Sequence, residues 1–280
     1  MPELFLTEQN VYEHTGCGLD RFYYDGGARI LNAWPQELVE SARRARMTPM
    51  MSIPFLEAIP LIPRDEWVDR IREKDANGSW MRSINDQADV PCLDQNGLGY
   101  CHAYGTVGAG MTSRAVAGLP TILLSPESIG GPVCNWKNRG ANPDDDLEVL
   151  VNRGACRMDM MNAQHSLTPD RWDPQWIHYA LNHKAVEVYY FVSGNKMFDQ
   201  QMTAVFLNIP SGIWFNWWGH HVQGFLAAMF KDNQFWGCAR NSWGTGYGEN
   251  GYFWMAEGGR KSQGTCSGGH AIRVMKPSEV

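Results

Sequence analysis

Several things are scarce or missing from this 280-residue chain, and each absence narrows what it can be. No apolar run approaches the roughly 18 residues of a membrane span, which excludes a membrane partner. No cluster of Lys and Arg is denser than Arg43, Arg44 and Arg46, and the net charge is -6. Nucleic acid, which needs a basic patch, is therefore excluded as the main ligand. No Cys-x-x-Cys pair occurs, and His165, His178 and His183 stand at no ligating spacing, so neither a metal nor any other cofactor is expected. No internal repeat and no low-complexity linker divides the chain. The opening Met-Pro-Glu-Leu-Phe-Leu-Thr-Glu-Gln lacks the basic start and long apolar centre of a secretory signal. That leaves either the natural start of an intracellular protein or a chain whose leader has been removed.

What is present is the composition of a folded protein: 44% hydrophobic, 19% charged and 12% aromatic residues. Twelve tryptophans and fourteen methionines predict broad apolar contact surfaces, internal or shared with a partner. The seven cysteines, Cys17, Cys92, Cys101, Cys134, Cys156, Cys238 and Cys266, form an odd set. One reactive thiol with up to three bridges fits that count, and so do seven free thiols.

Residues 1–75 read as an irregular extension with one helix at Pro35–Arg46 and another around Asp65–Lys74. The proline-punctuated apolar run between them, Met47–Pro63, would be costly to expose and should pack on the body or on a neighbour. Cys101–Ala117 reads as a helix of small residues, stopped at Gly118 and Pro120, whose glycines suit a close-packed central position. Asp144–Val151 reads as another helix, with three acids in its first turn where the macrodipole favours them; a calcium loop would need alternating acids. Beyond about residue 180 the texture turns to strands: Ala185–Val192, Ile213–Trp218, His220–Phe230, Phe235–Arg240, Gly251–Ala256 and Ala271–Met275. The expected fold class is α+β: a helical lobe over about 95–180, a β-rich lobe over about 181–280, and a cleft between them.

A nucleophilic cysteine works as the thiolate and gains from a helix N-terminus. Cys101 stands where the central helix begins, after the turn Gln95-Asn96-Gly97-Leu98-Gly99-Tyr100. A tight turn there leaves the Cys101 amide pointing at a developing oxyanion, and Gln95 is placed to add its side-chain amide. Far downstream come Gly219-His220-His221-Val222 and the block Asn241-Ser242-Trp243-Gly244-Thr245-Gly246-Tyr247-Gly248-Glu249-Asn250-Gly251-Tyr252.

That block resembles the Asn-Ser-Trp-Gly signature of the papain-like (C1) cysteine peptidases. The Gln95–Cys101 spacing, His220 with Val222, Leu124-Ser125-Pro126-Glu127 and Gly264-Thr265-Cys266 also resemble segments of that family, over about residues 80–276. The resemblance implies a papain-like two-lobe fold, with a β-barrel-like second lobe and a domain covering 76–280. It implies endopeptidase activity on peptide or protein substrates: Cys101 forms the thioester, His220 moves protons, Asn241 orients the imidazole, Gln95 helps build the oxyanion hole and Trp243 shields the Asn241 hydrogen bond. Gly140 and Ala141 would bond to extended substrate, while Pro143 and Leu147 would wall a hydrophobic pocket. On a strand only one of His220 and His221 can face the cleft; register with Val222 favours His220 and leaves His221 at the surface or an interface.

Departures from the family pattern shape further expectations. His102 follows the nucleophile where the family has tryptophan, and is expected to line a pocket or sit at the helix start. Tyr100 should crowd the non-primed side. Leu98 replaces a half-cystine whose partner position, near Asn138, has no cysteine either, and Cys266 faces Trp214 rather than a second cysteine. Such losses suit a reducing compartment, hence a cytoplasmic or virion-associated protein. The competing reading is a papain-fold structural or interaction subunit, for example of a virus particle, with weak or lost catalysis. Under either reading residues 1–75 serve as a removable pro-segment or as an arm toward a second copy or an assembly partner. A peptidoglycan-cleaving amidohydrolase would share the Cys-before-His order but not the tryptophan-glycine block.

Overall fold

The computed structural model describes residues 3–15, 53–161 and 163–276. The expected helix at Pro35–Arg46 and Cys17 lie outside the described residues. Along the chain run β1 (Phe5–Leu6), α1 (Val11–Thr15), α2 (Phe55–Ala58), α3 (Trp67–Asn77), α4 (Met81–Gln87), α5 (Cys101–Val116), α6 (Glu127–Cys134), α7 (Pro143–Asn152), α8 (Trp176–Ala180), β2 (Ala185–Tyr190), α9 (Met197–Phe206), β3 (Ser211–Phe215), β4 (His220–Lys231), β5 (Gln234–Arg240), β6 (Tyr252–Ala256) and β7 (Gly268–Met275).

The strands form one seven-stranded sheet in the order β1-β6-β5-β4-β3-β7-β2. β1 pairs parallel with β6, and the other neighbours are antiparallel. The α+β class follows the expected layout. The β-rich part is a single sheet whose first and last strands, β1 and β2, stand at opposite edges.

The central helix α5 is buried from Cys101 to Ala115, so small residues are required on all sides. A Cβ at Gly105 would lie 2.4 Å from Nδ1 of His221. Glycine is what lets β4 approach the helix backbone at that point. Helix α9, unmarked by the sequence pattern, is buried along almost its whole length. Gln200, Gln201 and Thr203 are buried with their apolar neighbours, so burial in this helix does not follow residue polarity.

Residues 53–75 are not an irregular arm. The helix expected around Asp65–Lys74 is α3; it buries Trp67, Ile71 and Lys74 and ends at Gly78 in the left-handed conformation that terminates helices. Phe55, Ile59, Ile62, Trp67 and Ile71 join Phe198, Phe206 and Phe225 in the apolar core behind the sheet. The Trp67 indole N–H donates to the Ile62 carbonyl at 3.0 Å, and Phe55 meets Phe191 edge-on at 5.3 Å. At the chain's start, Phe5 stacks on Trp254 and meets Trp236 edge-on, which fastens β1 to the sheet.

Candidate active site

Cys101 is the first residue of α5, after Tyr100 in a non-helical conformation. The turn before it is stitched to the segment ahead of α7 by Asn138, whose Oδ1 accepts from the Gly99 N–H at 2.7 Å and whose Nδ2 donates to the Gly97 carbonyl at 3.3 Å. These two bonds join the same strands of chain that the family's missing bridge would join. None of the six cysteines among the described residues is in a disulfide. Near Cys266, whose family partner is replaced by Trp214, the Trp214 carbonyl accepts from the Ser267 N–H at 2.8 Å.

Gln95 is buried and clamped on both ends of its amide: Nε2 donates to the Leu98 carbonyl at 2.6 Å, and Oε1 accepts from the Ser242 hydroxyl at 2.6 Å. Its backbone N–H donates to the Ser242 carbonyl at 2.8 Å. The loop before the nucleophile is thereby locked to the Asn241-Ser242-Trp243 segment. Ser242 has a positioning role that the sequence reading did not assign.

β4 lies across the first turn of α5. His221 Nδ1 is 3.3 Å from the Cys101 carbonyl, and Trp214 pairs with His221 while Phe215 pairs with His220. His220 points to the other side of the strand, where Nε2 donates to Asn241 Oδ1 at 2.8 Å. The Asn241 oxygen also accepts from the Ser242 N–H at 2.8 Å, which fixes the amide. Trp243 stacks on His220 with centroids 4.9 Å apart at 28°, and Trp218 flanks the imidazole at 4.7 Å. Both indoles exclude water from the His220–Asn241 bond, which strengthens it. Cys101 itself is only 1% exposed.

Three residues differ from their expected placement. His221 is not a surface histidine: it is wholly buried beneath α5, where Gly105 makes room for it. Beside it His270 is also enclosed, its Nε2 3.2 Å from the Thr106 hydroxyl. Thr106 donates to the His102 carbonyl, so His270 Nε2 carries the proton and donates to Thr106. Burial, then the charge of His270, pushes the His221 pKa well down; burial pushes His270 to about 3. Both are neutral.

Nor do Tyr100 and His102 line the cleft; each is fully enclosed. A buried imidazole needs partners. His102 Nδ1 lies 2.5 Å from Asp146 Oδ2, and Nε2 is 3.6 Å from the Cys134 sulfur. Burial alone would lower the His102 pKa, but the Asp146 carboxylate outweighs it and the net is a rise to about 10. Burial also raises Asp146, so both shifts say that the pair keeps a proton through the neutral range. The sequence reading left Asp146 unassigned, because the acidic run reads as a helix N-terminal turn until His102 is known to be buried against it.

Between α7 and the β3–β4 connection runs a groove of about 530 Å³, lined by Asn142, Pro143, Asp144, Trp214, Phe215, Asn216, Gly219, His220 and Ser267. Pro143 is on its wall as expected; Leu147 and Ala141 are buried and Gly140 half-buried, outside the lining. Among the described residues no cluster of three or more metal-ligating side chains occurs, and no helix is long and apolar enough to cross a membrane.

No protein-family model and no curated protein matches the chain. Solved structures do. Digestive procathepsin L 3 of the Tenebrio molitor larval midgut superposes with a TM-score of 0.54 at 16% identity, over 65% of this chain and 66% of that one. A structure from work on the mite allergens Blo t 1 and Der p 1 gives 0.52 at 14%, over 65% and 66%. Xylellain, a cysteine protease from Xylella fastidiosa, gives 0.52 at 19%, over 66% of this chain and 83% of its own. The matched region thus spans just under two thirds of the first two structures. With Cys101 opening the central helix and His220 and Asn241 joined on the sheet, the fold of this chain is that of the papain-like cysteine proteases.

Proposed function

We propose that the chain is a cysteine-type endopeptidase. The observation that carries this reading is the 2.8 Å His220–Asn241 hydrogen bond roofed by Trp243, on the strand that crosses the first turn of the Cys101 helix. The protease names of the superposed structures agree with it. In this reading the Cys101 sulfur attacks the peptide carbonyl carbon and the carbonyl oxygen becomes an oxyanion, bonded by the Cys101 backbone N–H and the Gln95 amide. His220, holding the proton from the thiol, passes it to the amine as the C–N bond breaks and a thioester remains. Water then attacks, its proton going to His220, and the thiol is restored as the acid leaves. Of Gly140 and Ala141, only the half-buried Gly140 would be reachable by the extended peptide backbone.

A second reading, a papain-fold structural or interaction subunit without catalysis, is favoured by the near-complete burial of Cys101. A thiol-directed epoxide followed by mass spectrometry separates them. The peptidase reading expects one adduct, on Cys101, and loss of peptide cleavage in Cys101→Ala; no adduct at Cys101 together with unchanged cleavage in that variant sinks it.

A further inference from the structure

The resemblance implied an apolar pocket beside the nucleophile, yet the groove that adjoins His220 carries a carboxylate, two carboxamides and a large aromatic ring. Asp144 makes no side-chain hydrogen bond or ion pair to the other described residues. Although the residue as a whole is exposed, atoms crowd its carboxylate: burial, and after it the charge of Asp146, raises its pKa to about 6. Helix N-terminal placement accounts for an acid at this position, but not for what lies across from it. There Trp214 is half-buried and held fast, because the backbone of Gly268 lies directly against its ring, where a Cβ would come within 2.0 Å of Cζ2. Among the described residues no Lys or Arg lines the groove.

A carboxylate short of partners and a fixed indole, with no cation of the described residues between them, form a receptor for a positively charged side chain. We propose that this groove selects a substrate side chain bearing an ammonium or guanidinium group, its stem over Trp214 and its head at Asp144. The inference rests on the peptidase reading for calling the ligand a substrate, but the selection itself is a property of the groove.

The test uses fluorogenic peptides in which each of the three residues before the reporter is in turn Lys, Arg, Leu or Glu. A kcat/KM advantage of about tenfold for the basic residue over leucine at one position is expected, with glutamate worst. Asp144→Asn should shrink that advantage to about threefold or less, and Trp214→Leu should reduce it independently. Calorimetric binding of the same peptides to Cys101→Ala gives a readout that needs no turnover. Tighter binding of basic peptides to Cys101→Ala, with no hydrolysis of any peptide by the parent protein, supports the groove and sinks the peptidase reading. Equal binding of basic and leucine peptides, or a preference untouched by Asp144→Asn, overturns the inference whether or not the protein cleaves.

Discussion

His102 and Asp146 are invisible to solvent and 2.5 Å apart, one attached to the residue after Cys101 and the other to the helix that walls the groove. Such a pair adds little net stability over an apolar pair, but breaking it strands a buried charge. Asp146→Asn should therefore lower unfolding stability by about 3 kcal/mol or more, while His102→Phe with Asp146→Leu should stay within about 1 kcal/mol of the parent in urea titrations. A stable single variant would show that the pair carries no charge. Legibility at this scale divides by distance along the chain. Gln95, Cys101, His220 and Asn241 were marked by residue type and spacing, because their chemistry admits few substitutes. The burial of His102 and His221 was not, since a histidine reads the same on a surface as beneath a helix until the covering element is known.

Elements meet most tightly where β4 crosses α5. Gly105→Ala would place a methyl 2.4 Å from His221 Nδ1, so strand or helix must retreat. A loss of about 1–3 kcal/mol and a larger fall in activity are expected, because the displaced strand carries His220. Adding His221→Ala should recover most of the stability; if Gly105→Ala is harmless alone, the close crossing is not real. The glycines of α5, which weaken a helix by propensity, made sense only as a packing requirement. α5 and α7 were legible from a helix stop and an acidic first turn, and the main strands from a change of residue texture; α9 was not, because its buried Gln200, Gln201 and Thr203 read as surface residues until the covering elements are known.

For the whole molecule, buried neutral histidines set a response to acid. His221, His270 and His183 all have pKa values pushed below the ordinary 6.5 by burial, the last to about 4. The unfolded chain therefore binds protons that the folded chain refuses once pH falls below about 6.5, and stability drops by up to about 1.4 kcal/mol per pH unit for each group. His102 has the opposite sign: its contribution is complete below 6.5 and fades as pH rises through about 10. Thermal unfolding should show a maximum near pH 6.5 and a steep fall from pH 6 to 4, flattened in His270→Gln. A melting temperature that rises as pH falls from 6 to 4 contradicts this arrangement.

The weaving of residues 53–75 into the core carries a last consequence. Trp67 and Phe55 are sealed against the sheet from the far side of α3 and α2, so a cut in the loop Ile59–Pro63 would sever the backbone without freeing either piece. After limited digestion there, a denaturing gel should show two peptides while gel filtration still shows one particle. Shedding of the shorter piece is the contrary result. A stretch that looks, in one dimension, like a detachable leader is in three dimensions a keystone, and switching this protein on by clipping it away there would dismantle it instead.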